Sequence, residues 1–184
     1  MKKNHSRYFI GLDLSGADKL AIAHWRDKQI WGSTDKPVPV ENFHITLSFL
    51  GQVPHKKLEQ LELLLRDISA GTVKTQTTEL GVFSKPKILY LGTELTPSLQ
   101  QLAQQCLSIN NVLNVKSGLA RPHEVYRPHI TLNRKHVKGV PILFEPPKLE
   151  LTFTEFHLFE SISSSQQGKP PYYPKRMSFD LNSN

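Results

Sequence analysis

Four residues occur twice in the chain: His44, Ile45, Thr46 and Leu47 return in the same order as His129, Ile130, Thr131 and Leu132. Each copy lies in a short run of alternating character, the pattern of a half-buried strand. Side chains along a strand point alternately to opposite faces. Each copy therefore offers an imidazole and a hydroxyl on one face, roughly 7 Å apart, with two aliphatic residues on the other. Two such strands set side by side would gather two imidazoles and two hydroxyls into one pocket. The comparable lengths of chain around the two copies predict two similar halves facing each other.

The rest of the chain is compatible with such a fold. Its 184 residues suffice for one domain, 1–184, built as two lobes sharing a core. No apolar run is long enough to span a bilayer, and Met1 to Arg7 leads into too short a run for a signal peptide. Cys106 is the only cysteine, which excludes an intrachain disulfide and fits a reducing compartment, so a cytoplasmic protein is expected. The net charge of +7 favours anionic partners such as nucleic acid, the plainer alternative being a merely basic surface.

Along the chain, Arg7 to Leu14 reads as a strand with a bulge at Gly11. Ser15 is placed to cap a helix from Gly16 to about Ile30. Lys36 to Val40, with Pro37 and Pro39, reads as a loop delivering the first motif strand, Asn42 to Leu50. Leu58, Leu61, Leu65 and Ile68 form the apolar stripe of a second helix. Strands are predicted over Lys74 to Phe83 and Ile88 to Thr93. Thr96 and Pro97 then open a third helix as N-cap and first-turn proline, with Cys106 on its buried face. Val112 to Leu119 reads as strand or loop, and Arg121 to Pro128 as the loop before the second motif strand, His129 to Asn133. A long loop from Lys135 to Pro147, one strand from Leu149 to Ser161, a flexible loop from Ser163 to Pro171 and a strand from Tyr172 to Leu181 complete the chain. Helices do not separate the strands regularly, so the class is α+β and not a parallel doubly wound sheet. No Gly-rich phosphate loop or dinucleotide fingerprint occurs.

Two facing histidines suit paired proton transfer, one accepting from a nucleophile while the other donates to a leaving oxygen; the ordinary imidazole pKa of about 6.5 makes both states reachable. Hydroxyls and surplus positive charge suit an anionic substrate. That combination fits metal-free cleavage of a phosphodiester.

The extended motifs, Phe43 to Gly51 and Arg127 to Arg134, resemble those of the two-histidine phosphoesterase superfamily, and within it the RNA 2′,3′-cyclic phosphodiesterases, also called LigT-like or 2′-5′ RNA ligases. The resemblance extends over the opening strand and the closing Gly168, Tyr172 and Tyr173. It implies a bilobal, pseudo-symmetric α+β fold in which two antiparallel sheets form a central groove with helices packed outside. It implies hydrolysis of RNA or nucleotide 2′,3′-cyclic phosphate ends to 2′-phosphates, His44 as general acid, His129 as general base, and Thr46 and Thr131 as holders of phosphate oxygens. Ligation of tRNA halves and RNA binding without turnover are the alternatives. A monomer that acts on RNA or a small cyclic nucleotide, with no cofactor and no membrane, is expected.

Two further positions are assigned to substrate binding against their apparent parity. Counted from His129, Arg134 falls on the wrong face unless the strand ends or bulges near Asn133. Phe49 counts to the face of Ile45 and Leu47, so core packing is the simple reading beside base stacking. Arg127 has the right parity but reads equally as a loop charge. His5, His24, His55, His123, His136 and His157 read as surface or packing residues. Zinc would need three or four ligands at recognisable spacing, which this chain does not offer, so no metal is expected.

Overall fold

A computed structural model describes residues 7–113, 125–136, 143–163 and 169–181. In chain order these form β1 (Arg7–Asp13), α1 (Gly16–Asp27), β2 (Lys36–Pro37), β3 (His44–Gln52), α2 (Leu58–Arg66), β4 (Val73–Phe83), β5 (Ile88–Thr93), α3 (Pro97–Leu113), β6 (His129–Arg134), β7 (Glu150–Phe153), β8 (Glu155–Ser161) and β9 (Lys175–Asp180). The strands pair antiparallel in the order β7-β4-β5-β6-β3-β1-β8-β9, with β2 alongside β6. The expected α+β class is the one found. The two motif strands are neighbours, and the halves of the sheet are joined where Ile45 of β3 meets Ile130 of β6.

Ile45, Leu47, Ile130 and Leu132, the aliphatic sides of both motifs, are buried with Leu91 and with Leu99, Leu102 and Cys106 from α3. Each such side chain contributes on the order of 1.5–3 kcal/mol by leaving water. The same four residues therefore hold the core together and fix which way the polar residues point. Among the described residues no helix is long and apolar enough to cross a membrane.

The two motifs share a local irregularity. Between β1 and β3, Gly11 pairs with Thr46 and Ile10 with Ser48, so Leu47 is an extra residue. Between β5 and β6, Tyr90 pairs with Thr131 and Leu89 with Asn133, so Leu132 is extra at the same motif position. An extra residue reverses the alternation beyond it. Ser48 and Asn133 accordingly turn inward, at 2% and 0% exposure. Phe49 and Arg134, each five residues after its histidine, turn out to the histidine face. Core packing of Phe49 is thus overturned, and the parity objection to Arg134 is removed by a bulge at the residue before Asn133.

Other departures have equally local causes. The loop expected over Lys36 to Val40 contains β2, in which Lys36 pairs with Arg134 and Pro37 with Asn133. The expected Leu149 to Ser161 strand breaks at Thr154: β7 pairs with β4 in one half of the sheet and β8 with β1 in the other. β7 alternates, whereas β8 is buried from Phe156 to Glu160, so the break falls where the alternation of β7 ends. The bulge expected at Gly11 lies opposite it, in β3. Ser15 does cap α1, accepting from the Asp18 N–H, whereas the Thr96 hydroxyl donates to the Lys74 carbonyl and ties the start of α3 to β4. Val112 and Leu113 are the end of α3, and the remainder of that segment lies outside the described residues. The closing strand is shorter than expected, β9 being preceded by an isolated bridge between Ile162 and Tyr172.

Candidate active site

Each motif histidine is held by the carbonyl two residues before it. His44 Nδ1 lies 2.7 Å from the Asn42 carbonyl and His129 Nδ1 2.7 Å from that of Arg127. A carbonyl oxygen only accepts, so both Nδ1 atoms carry the proton and both Nε2 atoms keep a lone pair. At His44 that lone pair takes the hydroxyl proton of Thr46, 3.0 Å away.

The Ile45–Ile130 pair sets the spacing across the groove. Extending its register by one residue puts His44 against Thr131 and Thr46 against His129. The two imidazoles then stand on a diagonal, with Cβ atoms roughly 7–8 Å apart. The charges of both His129 and Arg134 act on His44, so the three share one electrostatic environment. The Tyr126 hydroxyl, from the chain leading into β6, donates at 2.9 Å to the Thr46 carbonyl and adds a second link between the motif strands.

Aromatic rings enclose both imidazoles. Phe9 lies 4.7 Å from the His44 ring, with Phe159 at 5.9 Å and the edge of Tyr173 at 5.5 Å. Phe83 and Tyr90 stand at 5.0 and 5.1 Å from His129. Tyr90 reaches that position by lying across Gly81, where a Cβ would come within 2.2 Å of its ring. Burial by these rings pushes His44 down to about 4, against the pull of the Asn42 carbonyl; the charges of His129 and Arg134 add to the depression and Asp13 opposes it. Burial also lowers His129, against the Arg127 carbonyl. At neutral pH the empty groove holds two neutral imidazoles.

Besides Phe49 and Arg134, the two halves differ in a second charge. Asp13 stands across the ladder from His44, whereas Gly92 occupies the matching place across from His129. The Asp13 carboxylate bridges Lys19 at 2.6 Å and Lys175 at 2.7 Å. Burial works to raise it, but the two lysines win and hold it below its ordinary value.

Of the residues singled out by the sequence, His44, Thr46, His129 and Thr131 thus share one face, joined by Arg134 and by Phe49, whose ring is 6.0 Å from Phe9. Arg127 contributes its backbone carbonyl. His24 and His55 are exposed, and His5 and His123 lie outside the described residues. His136 pairs with Asp35 in the interior, and His157, buried beside Ser178, faces the groove on β8. Sequence reasoning missed Asn42, Tyr126 and the rings of Phe9, Phe83, Tyr90 and Phe159. Asn42 and Tyr126 flank the motifs but carry no periodic signal; the rings could have been found only by knowing which strands pair. Among the described residues no group of three or more His, Cys, Asp or Glu side chains is placed to hold a metal ion.

Residues 32–90 match the LigT like phosphoesterases, a stretch that includes the first motif. The RNA 2′,3′-cyclic phosphodiesterase of Escherichia coli K12 is 31% identical over 171 residues, 91% of this chain and 93% of that protein. The chain belongs to the LigT-like phosphoesterase family. The family fold extends over almost the whole chain. Apo E. coli LigT superposes with a TM-score of 0.81 at 30% identity, covering 97% of this chain and 99% of its own. E. coli LigT complexed with 3′-AMP gives 0.80 at 28%, over 96% and 98%.

Proposed function

We propose that this chain hydrolyses the 2′,3′-cyclic phosphate ends of RNA or nucleotides to 2′-phosphates, by acid–base catalysis between His44 and His129 without metal or cofactor. Residues 1–184 act in this reading as one two-lobed domain. The observation that carries it is the matched tethering of the two imidazoles, which leaves two Nε2 atoms on one face, with the Thr46 hydroxyl 3.0 Å from that of His44 and Thr131 on the same face. The relatives named RNA 2′,3′-cyclic phosphodiesterase and the phosphate and 3′-AMP complexes of E. coli LigT support the same reading.

In the reaction, His129 Nε2 takes a proton from water as the water oxygen bonds to phosphorus. The bond from phosphorus to the ribose 3′-oxygen breaks, and His44 gives that oxygen a proton. One water is consumed, and a 2′-phosphate and a 3′-hydroxyl remain. Thr46 and Thr131 donate to the non-bridging oxygens, Arg134 offsets their charge, and the exposed ring of Phe49 provides a face for a base. The proton on His44 arrives with the substrate. A phosphate anion within a few ångströms favours the imidazolium that burial otherwise suppresses, and Asp13 adds to that preference on the His44 side only. The lone, buried Cys106 suits a reducing compartment such as the cytoplasm, where the protein acts as a monomer on this reading.

The decisive experiment is incubation with an oligonucleotide ending in a cyclic phosphate, EDTA present throughout. The expected product is a 2′-phosphate end, formed at an undiminished rate. His44→Ala and His129→Ala should each lose about 10²-fold or more in rate. Near-normal turnover in either variant would remove that residue from its role. Joining of cleaved tRNA halves would identify the reverse reaction, and binding without product an RNA-binding protein.

A further inference from the structure

A cavity of about 450 Å³ opens on the His44 side of the groove, between β2 and the segment that precedes β9. Lys36 and Pro37 stand on one side, Lys169, Pro171 and Tyr173 on the other, with Arg134 between them. The site described above leaves this cavity unassigned.

Three cations face it. The one carboxylate in its lining, Asp35, is already engaged: its side chain is 1% exposed, and it accepts from His136 at 2.8 Å and from the Gly32 N–H at 2.9 Å. The cavity is therefore positive, and most of its other lining is proline and tyrosine, with Val38 and Asn42 completing it. Cations beside flat apolar faces are what a nucleotide requires, the first for its phosphate and the second for its base. The cavity is also continuous with the histidine groove. Tyr173 presents its edge to His44, and the charge of Arg134 reaches His44. Asn42 spans the two: its carbonyl holds His44 while its side-chain amide donates at 2.7 Å to the Pro171 carbonyl.

A cyclic phosphate uses the 2′ and 3′ oxygens of the terminal ribose, so any preceding chain must leave through the 5′ oxygen. We infer that the cavity is a subsite for the penultimate nucleotide of an RNA end, with Lys36 and Lys169 on the phosphate that links it to the terminal ribose. The inference rests on the proposed cyclic phosphodiesterase reading and adds to it the side chains that hold the nucleotide preceding the cyclic end. Lys36 and Lys169 are exposed, so replacing them removes charge without opening the core.

The test compares a cyclic mononucleotide with a dinucleotide that carries the same terminal base and cyclic phosphate. The wild-type protein should prefer the dinucleotide in kcat/KM by about tenfold or more. The Lys36→Ala/Lys169→Ala double variant should lose about tenfold of that preference, mainly through KM, which is the size of two phosphate contacts. The preference should also shrink with added salt. Lys56→Ala, which removes an exposed charge outside the cavity, should leave it unchanged. A double variant with the wild-type preference, or a wild type with none, would overturn the subsite. Calorimetric binding of the matching mono- and dinucleotide 2′-phosphates separates the two ideas. Absent hydrolysis with lysine-dependent dinucleotide binding would sink the reaction and keep the subsite, and hydrolysis with equal binding of both ligands would do the reverse.

Discussion

Both imidazoles give one ring nitrogen to a backbone carbonyl and keep the other for chemistry, so their protonation is governed by what enters the groove. In the empty site His44 lies near 4 and His129 below its ordinary value, both through burial. An anion between them reverses the sign of that effect. The alkaline limb of the kcat profile, which reports the enzyme–substrate complex, should therefore lie at higher pH than the alkaline limb of kcat/KM, which reports the free enzyme. Coincident limbs in steady-state pH profiles would show that the phosphate does not supply the acid with its proton affinity. Arg134 acts at the same scale. Arg134→Ala should raise KM about tenfold or more, and Arg134→Lys should recover only part of the loss, because an ammonium keeps the charge but not the planar fork. Initial-rate measurements over a range of substrate concentrations check both.

The bulges at Leu47 and Leu132 turn Phe49 and Arg134 outward, and stability distinguishes this arrangement from a regular strand. Phe49→Ala should cost no more than about 1 kcal/mol, because the ring is 41% exposed. Phe43→Ala, at a fully buried ring under the Arg26 guanidinium, should cost about 3–5 kcal/mol. Urea denaturation of the two variants checks the contrast, and a large loss at Phe49 would return it to the core. The same elements mark how far the sequence could be read. His44, Thr46, His129 and Thr131 were legible because two-residue alternation holds within each motif. Phe49 and Arg134 were not legible from parity, since the extra residue is defined by the neighbouring strands β1 and β5 and not by the motif itself. Asn42 reaches Pro171 across 129 positions, a contact no local pattern announces. The break at Thr154 was hidden because the two strands follow one another without a turn residue between them, although each pairs with a different half of the sheet.

For the molecule as a whole, enclosing neutral histidines makes stability depend on pH. His44 and His157 are both lowered to about 4 by burial. The unfolded chain binds protons at these positions near 6.5, so below that value it holds more protons than the folded protein. Their contribution is thus fully present above about pH 6.5 and is lost progressively as pH falls toward 4, by a few kcal/mol in total. His157→Gln should flatten the decline, and chemical denaturation of both proteins between pH 7 and pH 4 measures it. A variant with the same slope as wild type would remove His157 from the account. The seam between the halves has a different consequence. Because Ile45 and Ile130 form the meeting point of β3 and β6, two buried aliphatic side chains lie directly beneath the opening between the histidine-bearing strands. Substituting a bulkier or slimmer residue at either position offers a dial for admitting reactants of other girth while each strand keeps its own hydrogen bonding.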